Sequence, residues 1–320
     1  MNRSQDEEIS IKKRFFSLKT ALSFLLAFLI LYYLFKKIDF EEITSILRTA
    51  NLFCLMIAFF LFYLSIFVRG IRWKILLKNI GFVGKIKEIT EILFISWFVN
   101  VIVPAKIGDL YRAHLMNRNF DFSTMKSLGT IFTERIFDIM ILFVLLGLSG
   151  LSVFGDKMPD LVRNLLFSVF IFVLILMVIL LMMKKFGNFI SKIVPGRFRG
   201  FYDRFAIGTT GAVKNVPVVA ILTAVIWLLE AGRLYFVLFS IDVTLSVHLI
   251  IFVALASALL TTLPITPAGL GAVEFAIVGI LIIFNVDKNI ALSVAILDRL
   301  ISYWSIMPLG LVVYSVSKKC

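Results

Sequence analysis

Cysteine and histidine are nearly missing from this sequence, with two of each in 320 residues. Cys54 lies inside an apolar run and Cys320 is the last residue, so no disulfide framework or multi-cysteine zinc site can be built. There is no H-E-x-x-H motif, no Asp metal cluster and no nucleotide-binding loop. Neither a metal nor a cofactor is expected. Polar stretches long enough to form a soluble domain are also lacking; the longest, Lys184 to Lys214, is still broken by Phe and Ile. Lys12, Lys13 and Arg14 precede an apolar run, but no small-residue cleavage site follows. That favours a retained first span over a signal peptide. Acidic residues are scarce, 20 against 33 basic ones, and the net charge is +13.

Apolar residues fill the space. They make up 60% of the chain, and the mean hydropathy is +1.00. Globular domains are roughly 45–50% apolar, so the excess goes beyond a buried core. A membrane span needs about 20 mainly apolar residues. Candidates are Ser17–Phe35, Asn51–Val68, Gly129–Phe154, Asn164–Met183, Asn215–Ile241 and Ile290–Val316. Two further segments, Glu91–Met116 and Ser246–Phe284, are apolar but interrupted by Pro and Gly. The first reads as a re-entrant hairpin or broken helix; the second as a hairpin or two short crossings. The expected fold is an all-α polytopic membrane protein of about six spans plus two hairpins, or about eight spans.

Charge sets the expected orientation. Basic residues crowd the N-terminus, the loops after spans two and four, the segment before span three, and the C-terminus. Six crossings with two same-side hairpins put all these clusters, and both termini, in the cytoplasm of a cell-membrane protein. Residues 1–16 form a cytoplasmic tail, and 17–317 a single integral membrane domain without a soluble catalytic unit. The positive charge therefore reads as topogenic rather than as a nucleic-acid surface.

A pentapeptide occurs twice. Pro104-Ala105-Lys106-Ile107-Gly108 returns 163 residues on as Pro267-Ala268-Gly269-Leu270-Gly271. Glu134-Arg135 follows the first copy and Asp298-Arg299 the second, while Arg69 or Arg72 precedes one and Arg233 the other. Three features in one order at one spacing predict a duplicated unit, about residues 51–154 and 215–316. With one span between them the units are expected to be inverted, the usual plan for alternating access.

Charges inside membrane segments cost about 2.5–3.5 kcal/mol each on insertion scales. Glu134, Arg135, Asp138, Glu230, Arg233, Glu274, Asp298 and Arg299 all lie there. One reading makes them internal ion pairs that lock the bundle. The other has Arg135, Arg233 and Arg299 line a cavity and bind an anion through their forked donors. Glu134, Asp138, Glu230, Glu274 and Asp298 then balance charge or hold a cationic aminoacyl headgroup. The breaks at Pro104, Gly108, Pro267, Gly269 and Gly271 free backbone N–H groups for an anion at a helix start. Asn100, four residues before Pro104, is placed to bond the broken turn or a substrate. Arg69, Arg72 and Trp73 read as an interfacial anchor, with the bases snorkelling to the surface, or as a specific headgroup contact. Trp97, Trp227 and Trp304 read as packing or depth markers.

Several of these residues also carry a resemblance. Arg69-Gly-Ile-Arg-Trp73, Asn100-x-x-x-Pro-Ala-Lys-Ile-Gly-Asp109, Thr133-Glu-Arg-Ile-Phe-Asp138, Leu263-Pro-Ile-Thr-Pro-Ala-Gly-Leu-Gly-x-x-Glu274 and Asp298-Arg-Leu-Ile-Ser-Tyr-Trp304 resemble the motif series of the lysylphosphatidylglycerol synthase transmembrane family. This is the flippase-like membrane domain of the multiple peptide resistance proteins. The resemblance runs from about residue 15 to 317. It implies a lipid translocase moving an anionic or aminoacylated phospholipid, or a lipid-linked headgroup, between leaflets. A stand-alone membrane domain is expected, one that does not itself charge a lipid.

Two rival readings stay open: a membrane-embedded transferase acting on a lipid-linked sugar or aminoacyl lipid, with Glu134 or Asp138 as base, and a protein that delivers lipid to a separate synthase. Membrane lipids are the expected partners. A separate lipid-modifying synthase and a second copy of the chain are further candidates.

Overall fold

A computed structural model of the chain describes residues 18–35, 40–103, 106–155, 158–262 and 266–319. The N-terminal tail, Pro104 and Cys320 lie outside them. The described residues fold into helices α1 (Leu18–Phe35), α2 (Phe40–Thr49), α3 (Leu52–Asn79), α4 (Ile86–Ile102), α5 (Ile107–Phe120), α6 (Thr124–Phe154) and α7 (Asp160–Ile193). There follow α8 (Gly196–Ala212), α9 (Val216–Phe239), α10 (Val247–Thr262), a 3-10 turn (Pro267–Gly269), α11 (Ala272–Ile283), α12 (Lys288–Arg299) and α13 (Ile306–Val316). No strand occurs among the described residues. Among the described residues, five helical runs are long and apolar enough to cross a membrane: α3, α6, α7, α9 and the α12–α13 run. The protein is an all-α polytopic membrane protein.

Polar caps start the long helices. Asn51 accepts hydrogen bonds from the Phe53 and Cys54 amides, Ser123 from Lys126, and Asp287 from Asn289 and Ile290. Each satisfies donors that a helix start leaves unpaired. Between α12 and α13 the helix widens into a π turn, Leu300–Trp304, with the Ser305 amide donating to the Leu300 carbonyl at 3.0 Å. Pro308 explains it. Proline offers no N–H to the carbonyl four residues back and crowds it.

Both interrupted segments are hairpins. Asn119, at the end of α5, and Glu88, at the start of α4, each bond to Lys319. The two arms thus return to one level. Phe154, at the end of α6, packs its ring on Phe252 near the start of α10 (5.3 Å) and on Phe284 just past α11 (5.5 Å). The twelve residues of α11 rise about 18 Å, too short for a core of about 30 Å. This decides against two full crossings. The bases of the hairpins sit at opposite ends of α6, since α5 leads directly into its first turn.

Packing between the halves is reciprocal. Helices α3 and α9 lie against one another along much of their length. Beyond them, α6 packs on the first arm of the second hairpin, and α13 on the first arm of the first.

Three elements differ from expectation. Helix α3 continues to Asn79 rather than ending near Val68, because Arg69 and Arg72 find carboxylates inside the bundle and need not reach water. The stretch before α9 is not a plain loop: α8 forms there, crossing α6. The segment before Asn51 holds α2, which buries Ile43.

Candidate functional site

The tips of the two hairpins meet at a cavity of about 340 Å³. Val103 and Lys106 line it from the first break, Thr266 and Ala268 from the second. Arg135, Arg233 and Arg299 all face it, as do Asp138, Glu230, Asp298 and Asn100. Charged residues from both halves of the chain therefore converge on one chamber.

The same wiring appears in each half. The arginine of the acidic-basic pair bonds to the acid that opens the helix after the break. Arg135 reaches Asp109 on α5 at 2.9 Å, and Arg299 reaches Glu274 on α11 at 3.0 Å. The carboxylate of the pair meets an arginine of the preceding span. Glu134 takes Arg72 at 3.4 Å, and Asp298 takes Arg233 at 2.9 Å. The halves are joined by Glu230, which accepts from Arg233 at 2.7 Å and from Arg69 of α3 at 3.3 Å. These charges are paired, and most of them line the chamber.

Some placements were not foreseen. Glu134 and Glu274 stand behind the wall. Glu134 is clamped by Arg72 and Arg112, with all three buried, and Glu274 supports Arg299. Arg69, Arg72 and Trp73 are not an interfacial anchor. All three are buried, and Trp73 donates to Thr130 at 3.1 Å beneath the Arg112 guanidinium. Pairing inside replaces snorkelling because each arginine has a carboxylate in reach. Arg69 lies 5.1 and 5.3 Å from the ring centroids of Trp97 and Trp227. These tryptophans line the chamber and cradle a cation, beyond the packing role read from sequence. Trp304 is half exposed.

The break amides are less available than expected. Gly108 donates to Asn100 Oδ1 at 2.8 Å, and Asp109 to the Lys106 carbonyl. At the second break Gly269 donates to Thr266 and Leu270 to Pro267. Asn100 serves the broken turn. A Cβ at Gly108 would sit 2.0 Å from the Ser96 carbonyl, so glycine lets α5 close on α4. Gly269 adopts φ +75, the left-handed region. Its counterpart in the first copy is Lys106, at φ 53, where a residue with a Cβ bears about 1–3 kcal/mol of strain. Pro267 is buried in its turn, and Gly271 packs near Ala27 of α1.

Sequence reading passed over Lys106, Asp109 and Arg112 as site residues. A signal was present: an acid follows each break within one turn of a helix, Asp109 one residue after Gly108 and Glu274 three after Gly271. Among the described residues, no group of three or more His, Cys, Asp or Glu could hold a metal ion.

Residues 20–310 match the family model described as the lysylphosphatidylglycerol synthase TM region. The chain is 33% identical over 225 residues to the UPF0104 membrane protein MJ1078 of Methanocaldococcus jannaschii, covering 69% of this chain and 95% of that one. It is 24% identical to MJ1595 of the same organism, over 94% and 96%. A third likeness, 29% identical, is to glycosyltransferase AglD of Haloferax volcanii, over 37% of this chain and 18% of that one. With its motifs gathered in one intramembrane chamber and the family model spanning nearly its whole length, the chain belongs to the lysylphosphatidylglycerol synthase TM region family.

Proposed function

We propose that this protein moves a lipid headgroup bearing a phosphate from one leaflet to the other through the chamber between the hairpins. The observation that carries the reading is the meeting of both hairpin tips with arginines from both halves around one cavity. Arg135, Arg233 and Arg299 hold the phosphate, while the hydrocarbon chains stay in the bilayer. Guanidinium groups suit this because their planar forks engage two oxygens at once.

Hairpins entering at opposite ends of α6, with reciprocal packing, support reading the halves as inverted repeats. Opening one hairpin while the other stays closed exposes the chamber to alternate sides. The basic loops favour the cell membrane, with both termini in the cytoplasm. Leaflet exchange of a fluorescent phospholipid in proteoliposomes tests the proposal. Arg135→Met combined with Arg299→Met is expected to abolish exchange; wild-type rates from the double variant would remove these arginines from the site.

The partial likeness to a glycosyltransferase raises a transferase as a second reading. It has less support, because each carboxylate lining the chamber is already bonded to an arginine and none stands free as a base. The mass of the lipid separates the two: a transferase changes it and a translocase does not.

A further inference from the structure

The chamber wall is not balanced in charge. Its four carboxylates are Asp109, Asp138, Glu230 and Asp298. Every one of their oxygens accepts a hydrogen bond, from arginines and two serines. Of the five cations on the wall, four are arginines, and each has a carboxylate partner. The fifth is Lys106, which has no ion pair among the described residues. A wall whose four carboxylates are saturated and whose lysine is unpaired suits a ligand with negative charge.

The backbone supplies an independent observation. Lys106 holds a left-handed conformation at the hairpin tip, where the second copy of the pentapeptide has glycine. Glycine makes this turn without strain. A lysine in its place puts an ammonium at the chamber at some conformational cost.

Resting on the translocase reading, we propose that Lys106 selects the substrate by charge. The substrate class is a phosphodiester lipid headgroup of one net negative charge. A cationic aminoacyl headgroup finds no free carboxylate on this wall. A phospholipid and a prenyl-phosphoryl sugar share the required chemistry.

Native mass spectrometry of the full chain in detergent tests the assignment. The protein is offered an equimolar mixture of phosphatidylglycerol, a short-chain prenyl-phosphoryl hexose and phosphatidylcholine. Wild type is expected to retain an anionic lipid over phosphatidylcholine, and whichever anionic lipid dominates identifies the source. Lys106→Met should weaken the preference about tenfold, while Lys106→Arg should keep it within about threefold. Lys106→Gly should lose the preference without a lower melting temperature, separating charge from folding. An anionic preference undiminished in Lys106→Met overturns the assignment, as does a wild-type preference for phosphatidylcholine. Because retention is read without transport, a Lys106 effect in a protein that shows no leaflet exchange supports this inference while removing the translocase reading.

Discussion

The two halves share one wiring plan but carry it with different loads. In the first half, Glu134 is gripped by Arg72 and Arg112, and Asp138 adds a further carboxylate to Arg72 and Arg135. In the second half, Phe236, Ala276 and Ser302 stand 164 residues after Arg72, Arg112 and Asp138. Glu274 has only Arg299, and one of its oxygens has no partner. The helix carrying Arg299 then loosens into the π turn. The first half is the denser lattice of charge, with more carboxylate–arginine contacts per residue. The second is a sparser set beside a strained helix, the arrangement from which a moving element is built.

Removing one carboxylate from each half is the strongest way to break this contrast. Glu134→Gln leaves buried Arg112 without a carboxylate and Arg72 with Asp138 alone, and should cost about 3–5 kcal/mol. Glu274→Gln removes the only carboxylate partner of buried Arg299, which keeps the Ala268 carbonyl, and should cost about 3 kcal/mol. Melting temperatures of the two variants in the same detergent measure the difference. Equal losses would mean that the halves are equally locked.

The hairpin tips sharpen the comparison at lower cost. Gly108→Ala drives a methyl into the Ser96 backbone and should destabilise by about 1–3 kcal/mol. Gly269→Ala meets the left-handed backbone and a Val273 methyl at 2.9 Å, so about 1–2 kcal/mol is expected. Thermal unfolding ranks them, and the reverse order would place the tighter tip in the second half.

The smallest effect belongs to Pro308→Ala. Restoring an N–H to the helix should change stability by only about 0.5 kcal/mol. It should nonetheless slow amide hydrogen exchange across Leu300–Trp304. Unchanged exchange there would sever the link between Pro308 and the π turn.

The spans and hairpins were legible because their signals are local. An apolar run of about 20 residues must cross or be buried, and a Pro/Gly break within one must interrupt a helix. The recurrence of the break with Glu134-Arg135 and Asp298-Arg299 marked the chamber before any coordinates. Arg69 was misplaced for the opposite reason. An arginine at the end of an apolar run either snorkels or pairs, and the choice rests on Glu230, 161 residues away. Trp97 and Trp227 became a cation cradle only when α4 and α9 brought them to the same guanidinium. Helix α8 was hidden because a basic, amphipathic segment has the composition of a loop.

Sequence by itself determined that this chain lives in a membrane, that its helices break twice, and which charges lie at depth. Transfer free energy and proline sterics act residue by residue, so no fold is needed to read them. Tertiary structure alone decided which carboxylate neutralises which arginine, and that Lys106 has no ion pair among the described residues. Ion pairing depends on distances of a few ångströms between segments far apart in the chain, and only the packed helices set those.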